Sequence, residues 1–226
     1  METLISEDLL LLVLDDTKGA VTGTINLPAA LGGAVLTELA LIGAVEVQEK
    51  AGMWSTAKVR TVADARPEDP TLAAAYDVVA ERPRTAQDLV TRLGKNRRDE
   101  LADRLVARGI LARQDTKVLG LFPTKRWPTV EPGHERAVRY RLTAALVQGV
   151  EPDERTAALI ALLSAVDRAH KVVDHDGVPA KVVRKRAKEI SEGAWAAKAV
   201  KDAISAATAA VAAVAVAGAV AASSAS

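Results

Sequence analysis

The segment NLPAALGGAVLTELALIGAVEV (Asn26–Val47) constrains the fold most. Leu31, Val35, Leu36, Leu39 and Ile42 recur at helical spacing, and Gly43 then breaks the run. AVEVQ beyond it reads as a strand, with KVRTVAD (Lys58–Asp64) as its hairpin partner. The same order returns later in the chain. LTELALIGAVEV (Leu36–Val47) echoes ADRLVARGILAR (Ala102–Arg113), aligning Gly43 with Gly109, Leu39 with Leu105 and Ala44-Val45 with Ile110-Leu111. Each is a helix, a glycine stop and a strand. The expectation is a mainly α chain: a single compact helical domain with short β-hairpins, built from winged-helix-like helix–hairpin units.

The rest of the chain agrees with this class. Aromatic residues are only 3% while alanine is abundant, which favours packed helices over a β-sandwich. SEDLLLLVL (Ser6–Leu14) reads as a short helix capped by Ser6, with Glu7 and Asp8 in its first turn. ERPRTAQDLVTRLG holds a helix capped by Thr85, and NRRDELADRLVARGIL forms the next. KVLGLFPTKRWPTVE reads as a second hairpin with a basic tip. The apolar run RTAALIALLSAVD is a buried helix, and VPAKVVRKRAKEISEGAW is a basic amphipathic one. Residues 1–200 read as the domain, and 201–226 as an alanine-rich C-terminal helix with a frayed tail. Ile204–Ala222 is uncharged over a bilayer-spanning length, but alanine contributes little insertion energy, so it reads as a helix packed through small residues.

Several function classes fall away. There is no cysteine, so disulfides, thiol catalysis and cysteine-ligated metals are excluded. Met1–Ser6 carries a glutamate rather than a basic n-region, so no signal peptide is read. No P-loop, GxGxxG or GxSxG is present, and DHDG (Asp174–Gly177) lacks supporting ligand spacing and reads as a polar loop. The chain is therefore read as a non-enzyme with no metal and no cofactor. The alanine, valine and arginine bias points to a high-GC bacterial source.

What stands out is charge. From Arg92 to Arg126 there are ten cations and four anions, a balance of +6 in a chain whose total is +1. Lys95, Arg97 and Arg98 crowd the start of a helix, the end that already carries partial positive charge. Such an end accepts an anion. Leu121, Phe122, Lys125, Arg126 and Trp127 combine apolar and cationic side chains on the second hairpin, a mixture suited to a lipid headgroup region. A winged-helix nucleic-acid reader is the alternative, with Arg97, Arg98 and Arg126 on phosphates, although the balanced total charge makes nucleic acid the weaker expectation. A scaffold self-associating through its alanine-rich end helix is the third.

Five stretches, EDLLLLVLDD, LTELALIGAV, KNRRDELADRLVARGIL, LGLFPTKRWP and RTAALIALLSAVD, occur in the order seen in the Golgi phosphoprotein 3 family of phosphatidylinositol 4-phosphate-binding proteins. The chain resembles that family from roughly Leu4 to Trp195. The resemblance implies a basic pocket for the 4-phosphate of the lipid headgroup, beside a hairpin that touches the bilayer and can mediate homo-oligomerisation. The family's two phosphate-binding arginines fall on Lys95 and Arg98, and its hairpin on Leu119–Pro128. The i, i+3 spacing is expected to put both cations on one helix face. The family's pocket tryptophan falls near Gly23 and a further pocket arginine near Gly32, so both side chains are missing. With Met1 close to the first helix, the coatomer-binding basic tail of eukaryotic members is not expected. The implied partner is an anionic phospholipid headgroup, and the implied location is cytoplasmic, peripheral on the inner face of the membrane.

Overall fold

The computed structural model describes residues 3–15, 19–21, 25–48, 57–118, 122–193, 196 and 198–223, without the side chains of 116–118, 122–124, 199 and 216–223. Among these residues the fold is mainly α. The helices are α1 (Ile5–Val13), α2 (Leu27–Leu41), α3 (Pro70–Ala80), α4 (Ala86–Gly94), α5 (Arg97–Ala107), α6 (Gly133–Leu146), α7 (Glu154–Ala165), α8 (Ala180–Glu192) and α9 (Lys198–Ser223). Two antiparallel hairpins accompany them: β1 (Val45–Gln48) with β2 (Lys58–Thr61), and β3 (Gln114–Val118) with β4 (Phe122–Arg126). Val47 pairs with Val59 in the first and Thr116 with Thr124 in the second.

Helix α2 is the hub. Asn26 caps it by accepting from the Ala29 N–H (3.2 Å), and Pro28 suits a first turn whose N–H groups have no helical partner. Apart from Thr37 and Glu38 its residues are apolar, and from Ala29 to Ala40 all are buried, as a helix surrounded by others requires. It packs against α1, α3, α4, α5, α7 and α9. Each fully buried leucine here, such as Leu31, Leu36 or Leu39, contributes about 1.5–3 kcal/mol by leaving water.

Two adjacent glycines let two different helices close on α2. A Cβ on Gly32 would overlap the Val90 carbonyl oxygen of α4, and one on Gly94 of α4 would overlap the Pro28 carbonyl oxygen. Pro28 and Gly32 are one turn apart, as are Val90 and Gly94, so the two backbones meet over a full turn. Gly33 instead faces the Val211 side chain of α9. Residues 201–226, set apart in the sequence as a terminal segment, contribute most of α9, and its Ala203, Ile204, Ala207, Ala210 and Val211 are buried. No helix among the described residues is long and apolar enough to cross a membrane.

The sequence echo is visible in the hydrogen bonds. After α2, Gly43 (φ +71°) donates to Ala40 O (3.0 Å) and Ala44 to Leu39 O (2.8 Å). After α5, Gly109 (φ +73°) donates to Val106 O (2.9 Å) and Ile110 to Leu105 O (3.0 Å). Both ends are Schellman motifs with glycine in the left-handed position.

One local expectation is corrected. Ser6 does not cap α1, which begins one residue earlier, and the Ser6 side chain is buried without a hydrogen-bond partner. The end of α1 lies inside the protein, so its free N–H groups need buried acceptors. Glu7 takes the Leu4 N–H (2.7 Å), and Glu38 of α2 takes the Ile5 N–H. Those acids are held in turn. Glu7 pairs with Arg104 (3.0 Å) and Arg108 (3.3 Å), while Arg155 bridges Asp8 (3.1 Å) and Glu38 (2.7 Å).

Candidate functional site

A cavity of about 690 Å³ opens where the first turns of α2 and α5 come together. One wall is apolar: Val21, Ile25, Leu27 and Pro28. The other is the α4–α5 corner: Gly94, Asn96, Arg97, Arg98 and Asp99. The corner is tight because Gly94 touches Pro28 and because Asn96 takes a left-handed conformation (φ 58°), which asparagine tolerates better than most residues. Asn96 makes no side-chain cap for α5, so the first turn of that helix, which lines the cavity, lacks a capping oxygen from it.

The three cations of this corner have different fates. Arg97 is buried (8% exposed). Its Nε donates to Leu93 O (2.9 Å), and its Nη1 donates to both Glu100 oxygens (2.8 and 2.9 Å). Two of its three guanidinium nitrogens are therefore held by the α4 C-terminus and by Glu100, while the residue still lines the cavity. Lys95 is exposed, but it caps α4 rather than belonging to α5, and it is not part of the cavity wall. The left-handed Asn96 between them rotates Lys95 off the face that carries Arg98, so the i, i+3 spacing does not place both on one helix face.

Arg98 is the remaining one. It is half-buried, and its Nε is buried without a hydrogen-bond partner. Its guanidinium carbon lies 4.7 Å from the centre of the Trp127 ring, within cation–π range. Burial lowers its proton affinity below that of an ordinary arginine, while neighbouring Asp99 opposes the shift. Among the described residues it forms no ion pair.

The hairpin expectation also changes. Leu121 and the side chain of Phe122 lie outside the described residues. Lys125 is exposed and pairs with Asp99 at the cavity rim (2.8 Å), and Arg126 is half-buried. Trp127, expected to contact the bilayer, is 1% exposed. Its backbone N–H donates to Gly19 O (3.2 Å), and a Cβ on Gly19 (φ +56°) would overlap the Trp127 backbone. The strand end is thus locked against the chain before α2, which leaves the indole beneath Arg98.

Six cations of the +6 segment are paired, three with acids of the segment itself and three with Asp88, Glu7 and Asp69 from outside it. Arg92 pairs with Asp88, Arg97 with Glu100, Arg104 with Glu7 and Asp69, Arg108 with Glu7, Arg113 with Asp115 and Lys125 with Asp99. Sequence reasoning found Arg98, but it missed the Trp127 platform, the apolar wall and the Asp99–Lys125 pair. Only the wall left a signal: Asn26 followed by Pro28 marks a helix start beside Val21 and Ile25.

The model of the Golgi phosphoprotein 3 (GPP34) family matches residues 5–207. The chain belongs to that family. The match runs from the first residue of α1 into α9, so it takes in both helix–hairpin units and every described residue of the cavity. Comparison with curated proteins gives no match.

Proposed function

We propose that this GPP34-family chain is a peripheral membrane protein that binds the phosphate of an anionic phospholipid headgroup, of the phosphatidylinositol 4-phosphate type or another acidic lipid. It acts as a binding protein rather than an enzyme, on the cytoplasmic face of a membrane. The observation that carries this reading is Arg98. A guanidinium with a buried, unpartnered Nε stands at the wall of a sizeable cavity that two helix N-termini adjoin. The guanidinium is half-buried with no ion pair among the described residues, and a phosphate in the cavity would supply its counter-charge. Uncapped N–H groups at the start of α5 add to the attraction for an anion. Exposed Lys95 and the half-buried Arg126 supply long-range attraction to an acidic surface.

Liposome co-sedimentation tests the reading. Vesicles of phosphatidylcholine alone are compared with vesicles containing phosphatidylinositol or phosphatidylinositol 4-phosphate. Arg98→Ala is expected to weaken binding to acidic vesicles by about fivefold, the effect of roughly 1 kcal/mol per cation near such a surface. Lys95→Ala should weaken it less, and in a salt-dependent way. Undiminished binding by Arg98→Ala, with folding intact by circular dichroism, would remove Arg98 from the site.

Nucleic acid is the weaker reading on one specific ground. Of the arginines that reading would put on phosphates, Arg97 is engaged with Glu100, and Arg104 and Arg108 further along are engaged with Glu7 and Asp69, which leaves Arg98 and Arg126 of that set without an ion pair among the described residues.

A further inference from the structure

A second groove, of about 280 Å³, lies between α6 and the start of α7 and shares no residue with the cavity of α2 and α5. Tyr140 and Arg141 line it from α6, and Val150, Glu151 and Pro152 from the loop that follows. The small side chains of Ala144 and Ala145 leave the space between them. Tyr140 is 71% exposed and Val150 53%. Exposed apolar side chains scattered singly need no explanation. These, however, are two of the five large ones exposed among the described residues, and both border one groove.

The charge of the groove is divided between its two sides. Arg141, on α6, is exposed and forms no ion pair among the described residues. Glu151, on the loop, has a side chain 85% exposed and only a 3.9 Å contact with Arg186. A contact of that length at the surface contributes little, so the acid is available to a partner. A surface with an unpaired cation on one side and a nearly free acid on the other is complementary to itself turned through a two-fold axis. In such an isologous contact, residue i of one copy meets residue j of the other, and j meets i.

We infer that this groove is a homodimer interface. Two copies pack through α6 and the α6–α7 loop, with Arg141 of each on the partner's Glu151 and Tyr140 of each against the apolar groove of the other. Tyrosine suits the place, since it buries a large ring while its hydroxyl stays wet. The surface is separate from the β3–β4 hairpin, to which the family resemblance assigns oligomerisation, and the inference does not rest on lipid binding.

Sedimentation equilibrium of the full chain, without lipid and over a wide range of protein concentration, tests this. The mass should rise from 23.7 kDa toward twice that value. Arg141→Glu and Glu151→Arg should each weaken the dimer about tenfold or more, because each sets like charges against one another twice across the axis. The double variant should regain the dimer. An equimolar mixture of the two single variants should regain it too, because one copy then presents only acids and the other only cations. Tyr140→Ala should weaken the dimer without any change of charge. All three sites are exposed, so the variants should keep their fold, which circular dichroism checks. A monomer at every concentration overturns the inference. So does a dimer indifferent to both charge reversals, which would place self-association on another surface. Rescue in the double variant but not in the mixture would mean that Arg141 and Glu151 pair within one chain, and it overturns the two-fold contact.

Discussion

Single residues carry most of what distinguishes this molecule. Gly32 is the clearest case. Its missing side chain reads from the sequence as the loss of a pocket arginine, but in the fold it is the point where α2 and α4 touch backbone to backbone. Gly32→Ala is expected to lower unfolding free energy by about 1–3 kcal/mol, because a Cβ would push the Val90 carbonyl aside and the two helices with it. Chemical denaturation measures this directly, and an unchanged midpoint would mean that the helices do not approach so closely. Trp127 teaches the reverse. An aromatic flanked by Arg126 and Pro128 reads as a membrane anchor, since composition cannot say which face of a hairpin turns inward. Gly19 decides it by letting the N-terminal loop lie flat on the Trp127 backbone. Arg98 was legible as a cation at a helix start. Its platform was not, because Arg98 and Trp127 have no periodicity or motif linking them.

At the scale of elements, the glycine-stopped helices were the most legible feature. A Schellman end depends on a few adjacent residues, so its signal stays local. Position Cβ is open at both Gly43 and Gly109, with nothing within 4 Å. Alanine at either site therefore meets no neighbour and costs only the left-handed backbone, about 1–2 kcal/mol. Gly43→Ala and Gly109→Ala should destabilise by similar amounts, the double variant by their sum, and asparagine by less. Thermal unfolding of these variants checks this, and strongly unequal effects would break the equivalence of the two units. Thr85 was legible for the same reason, since its hydroxyl accepts from Asp88 N–H three residues on (3.2 Å). The start of α1 was not. Its acceptors include Glu38, which lies 33 residues away from Ile5, so local rules chose Ser6. Local charge balance fails in the same way, because Glu7 and Asp69 neutralise Arg104 of α5 from far outside the Arg92–Arg126 segment.

The whole molecule is organised around charge inside apolar packing, and this makes its stability respond to acid. Burial, helped by the Arg184 charge, holds His170 below the ordinary imidazole value of 6.5; Lys171 and His175 act in the same sense and Asp167 opposes them. An unfolded chain then binds the proton more readily than the folded one, so the stability from neutral His170 is complete above about pH 6.5 and declines as pH falls below it. Asp8 and Glu38 move in opposite senses. Burial pushes Asp8 up, but the His134 hydrogen bond and the Arg155 charge together leave it below the usual carboxylate range. Burial prevails at Glu38 and raises it despite Arg155. Thermal midpoints should therefore drop between pH 7 and 5.5 and drop less in His170→Gln, whereas an equal drop in that variant would assign the effect elsewhere. The same network has a consequence for synthesis. Asp8 finds His134 126 positions later and Arg155 147 positions later. A ribosome adding roughly 5–20 residues per second makes α1 wait on the order of ten seconds for those partners. During that interval the LLLLVL segment can pack on α2, already made, but Asp8 beside it has neither of these two partners, so α1 reaches its buried place only after the carboxylate has waited in water.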